Sequence, residues 1–161
     1  MAHFARMNSL HEVKEIIVID NSQVIDPDTG EESEIVGIVR SKLQRPGACA
    51  AGGYWKQCSW NTYRGEHALG HTPLRGSFPR VGWFYDGEKD VFHSPRPTDL
   101  NGDLCNSWDV NSTTGEWEAP IEMPDIAEGS DVWYGWDESL HQADNNTGWV
   151  LKEKEVSDPT E

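Results

Sequence analysis

Val13-Lys14-Glu15-Ile16-Ile17-Val18-Ile19-Asp20 is the stretch on which the fold turns. Ile16 to Ile19 is an unbroken β-branched run with neither a helical stripe nor a polar alternation, which predicts a strand buried on both faces. Upstream, Asn8 to Glu12 is polar and turn-like and Phe4 to Met7 reads as a second short strand, so the chain opens with a hairpin that Asn21 closes. Downstream, Asn21 to Gly30 is a loop containing Asp26-Pro27-Asp28. Glu31, Glu32 and Glu34 then lead into Ile35, Val36, Ile38, Val39 and Leu43 at the 3–4 spacing of a helix, with Arg40, Lys42 and Arg45 late. Acids early and bases late complement the helix dipole, Asp28 or Thr29 is the expected cap, and Pro46-Gly47 is the stop. It is the one helix expected.

From Gly47 onward helical periodicity disappears, and short aromatic segments alternate with Gly, Pro, Asn and Asp. Tyr54 to Trp60 reads as a strand with aromatics on both faces. Arg64 to Arg80, holding Gly65, Gly70, Gly76, Pro73 and Pro79, reads as a long ordered loop. Three segments then share one plan of aromatic arm, polar turn and aromatic arm: Trp83 to Phe92, Ser107 to Trp117, and Gly135 to Trp149. Each predicts a β-hairpin with facing aromatics and Asp, Asn or Gly in the turn. The expected fold class is α+β: an N-terminal hairpin and helix over 1–46, a Trp-rich region of hairpins and long loops over 47–150 packed on it as one domain, and a charged tail over 151–161.

Composition sets limits on function. Leu, Ile, Val and Phe make up 31 of 161 residues, close to the aliphatic poverty of disordered chains, yet eight Trp, four Tyr and four Phe supply the missing core area. A net charge of −15 with no basic run argues against nucleic acid and anionic membranes as partners. No apolar run approaches the ~20 residues of a membrane span, and no apolar signal core follows Met1 to Arg6. Cys49, Cys58 and Cys105 fit no CxxC spacing and, being odd in number, cannot all pair within the chain; they read as reduced packing residues.

Several patterns tempt a chemical reading. His67 and His71 stand at the i, i+4 spacing of two metal ligands, but Glu66 precedes the first His where a zinc-protease motif needs it to follow, and Gly65, Gly70 and Pro73 oppose a helix. Two hydrogen-bonding loop histidines are the plainer expectation. Asp86, Asp90, Asp109, Asp137 and Glu138 could include a glycosidase pair, yet Asp86, Asp109 and Asp137 each follow a strand aromatic and precede a turn, where an Asp side chain serves nearby backbone N–H groups. No GxSxG, P-loop or GxGxxG occurs. Exposed tryptophans would suit sugar stacking, which keeps a carbohydrate-binding module as an alternative, although the core has first claim on them.

Several words of the sequence are specific in combination: Met1-Ala2-His3-Phe4-Ala5, the strand ending Asp20-Asn21, and Trp55-Lys56-Gln57-Cys58-Ser59-Trp60-Asn61-Thr62. They continue in order through Thr72-Pro73 with Arg75, Tyr85-Asp86, Asp90 with Phe92, Ser107-Trp108, Trp117-Glu118-Ala119-Pro120, Trp136-Asp137-Glu138 and Trp149. Over most of residues 1–150 this resembles a family of small virion-associated proteins of marine and freshwater tailed bacteriophages, cyanophages especially. Cys58 and Trp60 depart from that pattern, where the family usually has Thr and Tyr, and Leu100 to Asn106 and His141 to Asn146 look like insertions. The resemblance implies a virion component, assembled in the host cytoplasm, with no catalysis.

The expectation that follows is a non-enzymatic structural protein of the virion, present in multiple copies and needing no metal or other cofactor. A capsid decoration or cement protein bound to the major capsid protein comes first. A neck, tail or fibre-attachment subunit, or a glycan-binding module for host attachment, is the alternative. Residues 40–80 carry seven basic side chains against Glu66 alone, a net +6, while residues 81–161 hold most of the negative charge. Such asymmetry turns one side toward an acidic partner, which makes Arg64, Arg75 and Arg80 the candidate partner-binding residues.

Overall fold

A computed structural model of the chain describes residues 1–154. The fold is α+β with β-hairpins, as expected. Strand β1 (Ala2–Met7) lies between β2 (Val13–Ile19) and β3 (Tyr54–Cys58) and is antiparallel to both, with Phe4 opposite Ile17 on one side and Gln57 on the other. The β1–β2 turn is held by Asn8, whose Oδ1 accepts from the Leu10 and Glu12 N–H groups.

The strand buried on both faces is β1, not β2. Ala2 and Phe4 enter one core and Ala5 and Met7 another, whereas Val18 in β2 is 45% exposed. The reason is position in the sheet: β2 is an edge strand whose second face is covered only at Val13 and the half-buried Ile16, and a central strand accepts the small Ala2 and Ala5 where layers close in from both sides. The first core joins Phe4 to Ile17, Ile19, Val24 and Trp55; the second joins Met7 to Val13, Cys58, Tyr85 and Phe92. Burial in that second core pushes the Cys58 thiol up to about 12. Cys49, Cys58 and Cys105 are all free thiols.

Helix α1 (Glu34–Gln44) packs across the first face of the sheet. Its cap is Ser33, whose Oγ accepts from the Val36 N–H, rather than Asp28 or Thr29; the backbone N–H groups of those two are bound by Asp26, which closes a turn upstream. Its buried residues are Gly37 and Ser41, with the Ser41 hydroxyl donating to the Gly37 carbonyl at 2.8 Å. Of the expected aliphatic stripe, Ile38 is half-buried against the first core, but the other side of the stripe faces outward. Ile35, Val39 and Leu43, one turn apart along the helix, are 76%, 53% and 66% exposed.

The expected long loop Arg64 to Arg80 begins inside a miniature hairpin of β4 (Thr62–Tyr63) and β5 (Glu66–His67), and Thr62 anchors the rest by accepting from the Leu74 and Phe78 N–H groups. The first aromatic hairpin is β6 (Phe84–Asp86) with β7 (Val91–His93), pairing Tyr85 with Phe92. In its turn Asp86 accepts from the Glu88 and Lys89 N–H groups. The second segment holds β8 (Asp109–Val110) and β9 (Trp117–Glu118), and Asn111 closes the turn between them by accepting from Thr113 and Thr114. The third pairs β10 (Val132–Trp136) with β11 (Trp149–Glu153) around an unexpected second helix, α2 (Glu138–Ala143). Leu151 to Glu153 thus belong to a strand and not to the expected tail, of which residues 155–161 lie outside the described residues.

The chain divides into two compact units, Met1–Pro95 with Val110–Glu116, and Arg96–Asp109 with the chain from Trp117. The boundary expected at residue 46 falls inside the first unit, because β3 completes the sheet begun by β1 and β2. Among the described residues no helix is long and apolar enough to cross a membrane.

Candidate functional site

The three candidate arginines have three different fates. Arg75 is a scaffold residue, its side chain only 8% exposed. Its guanidinium donates to Glu34 Oε2 at 3.0 Å, Asp90 Oδ1 at 2.7 Å and the Gln57 carbonyl at 2.9 Å, tying α1 and the β6–β7 turn to the edge of β3. Tyr85 donates its hydroxyl to the same Asp90 oxygen. Burial raises the Asp90 pKa, but the bonds from Tyr85 and Arg75 outweigh it and leave the carboxyl below its ordinary value; burial, reinforced by Asp90, pushes Tyr85 up to about 12. An arginine so buried, with all three of its nitrogens bonded inside the chain, presents little of itself to a partner. Arg64 is exposed and pairs with Glu116 at 2.7 Å beside the Tyr63 ring. Arg80 is exposed.

A second place of interest in the same unit is a cleft of about 510 Å3 at one end of the sheet. Trp60 lies on it, 70% exposed. The indole is braced by His3, stacked at 6.5 Å, and by Phe78, edge-on at 5.1 Å. Burial, and after it the charge of the terminal amine, lower the His3 pKa and favour the neutral ring. His67 and His71 also line the cleft, their rings edge-on at 5.2 Å. The Leu69 N–H donates to His67 Nδ1, so the proton of the neutral ring sits on Nε2. Among the described residues no group of three or more His, Cys, Asp or Glu side chains is placed to hold a metal ion.

The candidate carboxylates are occupied in the scaffold or apart. Asp86 closes a turn, Asp90 holds Arg75, and Asp137 caps α2 by accepting from the Leu140 N–H. Asp109 lies exposed at the start of β8, in the other unit from Asp86 and Asp90. Glu138 is buried beneath the tryptophans of the second unit and accepts four hydrogen bonds, from Trp136 Nε1, Ser107 N, Ser107 Oγ and Gln142 Nε2, at 2.8–2.9 Å. Burial raises its pKa, yet these donors more than compensate and the net shift is downward. Around it Trp108, Trp136 and Trp149 pack ring against ring at 5.1–5.9 Å. A carboxylate with every lone pair engaged orders loops and is poorly placed to move protons.

Comparison with family models, with characterised proteins and with solved structures found no match.

Two surfaces of the first unit escaped the sequence reading. The outward stripe Ile35, Val39 and Leu43 was signalled by Gly37 and Ser41 on the opposite side of the helix, since small residues one turn apart mark a face pressed close to a neighbour. Trp60 was read as the last strand residue, but β3 ends at Cys58, and Ser59 opens a turn whose carbonyl accepts from the Thr62 N–H. That turn carries the indole out to the cleft.

Proposed function

We propose that this chain is a non-enzymatic structural protein of a bacteriophage virion, bound in many copies to the capsid exterior as a decoration protein. The supporting observation is the outward face of α1. Three large aliphatic side chains stand in solvent on a chain with few aliphatics to spare, bordered by the exposed cations Arg40 and Lys42. A contiguous apolar stripe between basic residues suits burial against another protein with an apolar strip and an acidic rim. The remaining charge is strongly negative, which keeps the other faces solvated. The resemblance of Met1 to Ala5, Trp55 to Thr62 and the later aromatic words to phage virion proteins supports this kind of assembly.

Quantitative mass spectrometry of purified particles tests the reading. Hundreds of copies per virion are expected. A copy number matching a neck or tail ring would move the protein to the tail, and absence from the particle would overturn the structural reading.

A further inference from the structure

We infer that the cleft beside Trp60 is a binding site for a neutral saccharide. The inference goes beyond the assembly role and does not rest on it, because it stands on a different surface. Trp60 is a large flat aromatic held from behind by His3 and Phe78 yet 70% exposed, so it offers a rigid stacking surface whose ordering has been completed during folding. The cleft of about 510 Å3 falls within the roughly 300–1,000 Å3 of small-molecule sites, which accommodates one or two sugar rings.

Its polar lining is of the kind that reads hydroxyl groups. The side-chain amides of Asn21 and Asn61 make no hydrogen bond among the described residues, so each brings an unused donor and acceptor. His67 Nε2 adds a donor, because its Nδ1 is taken by the Leu69 N–H. Glu32, held in place by Gln57, adds an acceptor. Vicinal hydroxyls need donors and acceptors beside an apolar platform for the C–H face of the ring, and one cleft lining supplies all three.

The same residues reject other occupants. No Lys or Arg lines the cleft, and its one fixed cation, the Met1 amine, is offset by Glu32 on a chain of net charge −15, which disfavours nucleic acid and polyanionic glycans. A peptide cannot extend the sheet at Gln57, because its N–H donates to Glu34 and its carbonyl accepts from Arg75. Leu69 is the one aliphatic side chain beyond the N-terminal residues on the lining, too little for an apolar protein contact.

The experiment is saturation-transfer NMR and calorimetric titration of the full chain with cellohexaose, maltohexaose and mannohexaose, and with an alginate oligomer as the charged counterpart. At least one neutral oligosaccharide is expected to bind. Trp60→Ala, with an unchanged melting curve, is expected to weaken it about tenfold or more, as removal of a central aromatic anchor does, while Trp60→Phe retains part of the affinity. Tyr63→Ala, which removes an equally exposed ring outside the cleft, leaves it unchanged. Silence with all three neutral sugars, binding of alginate alone, or binding that Trp60→Ala does not change would each overturn the inference. So would loss of particle incorporation in Trp60→Ala without any sugar response, which would make the surface a protein contact. None of the sugar-binding results touches the assembly reading, which stands on α1.

Discussion

Gly37 stands directly over the ring of Phe4: a Cβ built on Gly37 would fall 1.9 Å from Phe4 Cζ. This contact determines which way α1 faces. The helix can come this close to the sheet only along its small side, so the aliphatic side is left outward. Ala for Gly inside a helix ordinarily stabilises by about 0.5–1 kcal/mol. Here the added methyl must displace a ring with no exposure, and Gly37→Ala is expected to destabilise by about 1–3 kcal/mol in urea unfolding. Combining it with Phe4→Leu should recover part of the loss. Strict additivity of the two substitutions would show that the ring is not what the methyl meets.

Arg75 shows how one buried cation can hold three elements. Replacing it with Met keeps the stem but leaves Glu34, Asp90 and the Gln57 carbonyl without their donor. A loss of about 1–3 kcal/mol is expected, below the range for a fully buried ion pair because the Asp90 and Glu34 side chains keep 58% and 29% of their exposure. Arg75→Lys should lose less because the charge is kept, though one ammonium cannot reach all three acceptors as the fork does. Arg64→Ala, at an exposed pair, should change stability by about 0.5 kcal/mol or less. Equal effects at the two positions would refute the distinction between scaffold and surface arginines.

Much of this was legible in the residues, for a physical reason in each case. The hairpins were marked because Asp86, Asn111 and Asp137 act within three residues of themselves, and local chemistry is written locally. Ile16 to Ile19 marked a strand, but whether it lay at the centre or edge depended on β3, more than thirty residues away. Periodicity identified α1 and misled about its outward side, because the usual inference places large aliphatics inside and cannot weigh Gly37 against Phe4. The second helix was hidden in what resembled an insertion; Asp137 followed by Glu138 was its start signal, at a site already read as a turn. The positive middle of the sequence predicted accessible arginines, and charge counting has no way to know that Arg75 is consumed within the fold.

The outward face of α1 yields a prediction that separates folding from assembly. Ile35, Val39 and Leu43 contribute little to the core, so changing all three to Ser should move the melting temperature by only a few degrees or less. The same triple substitution should abolish or strongly reduce incorporation into particles when the variant competes with the wild-type chain. Arg40→Glu with Lys42→Glu should weaken incorporation at low salt and reverse its salt dependence, because added salt would then screen a repulsion from the acidic rim inferred for the partner. Full incorporation of the triple variant would remove α1 as the assembly face.

Glu138 couples the tryptophan cluster of the second unit to pH. All four donors that reach it require a carboxylate, and Glu138→Gln puts an NH2 group against some of them. At neutral pH the substitution is expected to cost about 1–3 kcal/mol, the penalty for buried polar groups left unmatched. The sign of the pH dependence follows from the lowered pKa in the folded chain. Between the folded and unfolded values the unfolded chain binds more protons, so the stabilising contribution is complete above the ordinary glutamate range and is lost as pH falls through and below it. The stability gap between wild type and Glu138→Gln should therefore hold steady down to about pH 5 and narrow as pH falls below it. Near-ultraviolet circular dichroism, which reports the stacked Trp108, Trp136 and Trp149, should weaken in the same pH interval. A gap independent of pH would mean that the fold does not depend on ionised Glu138.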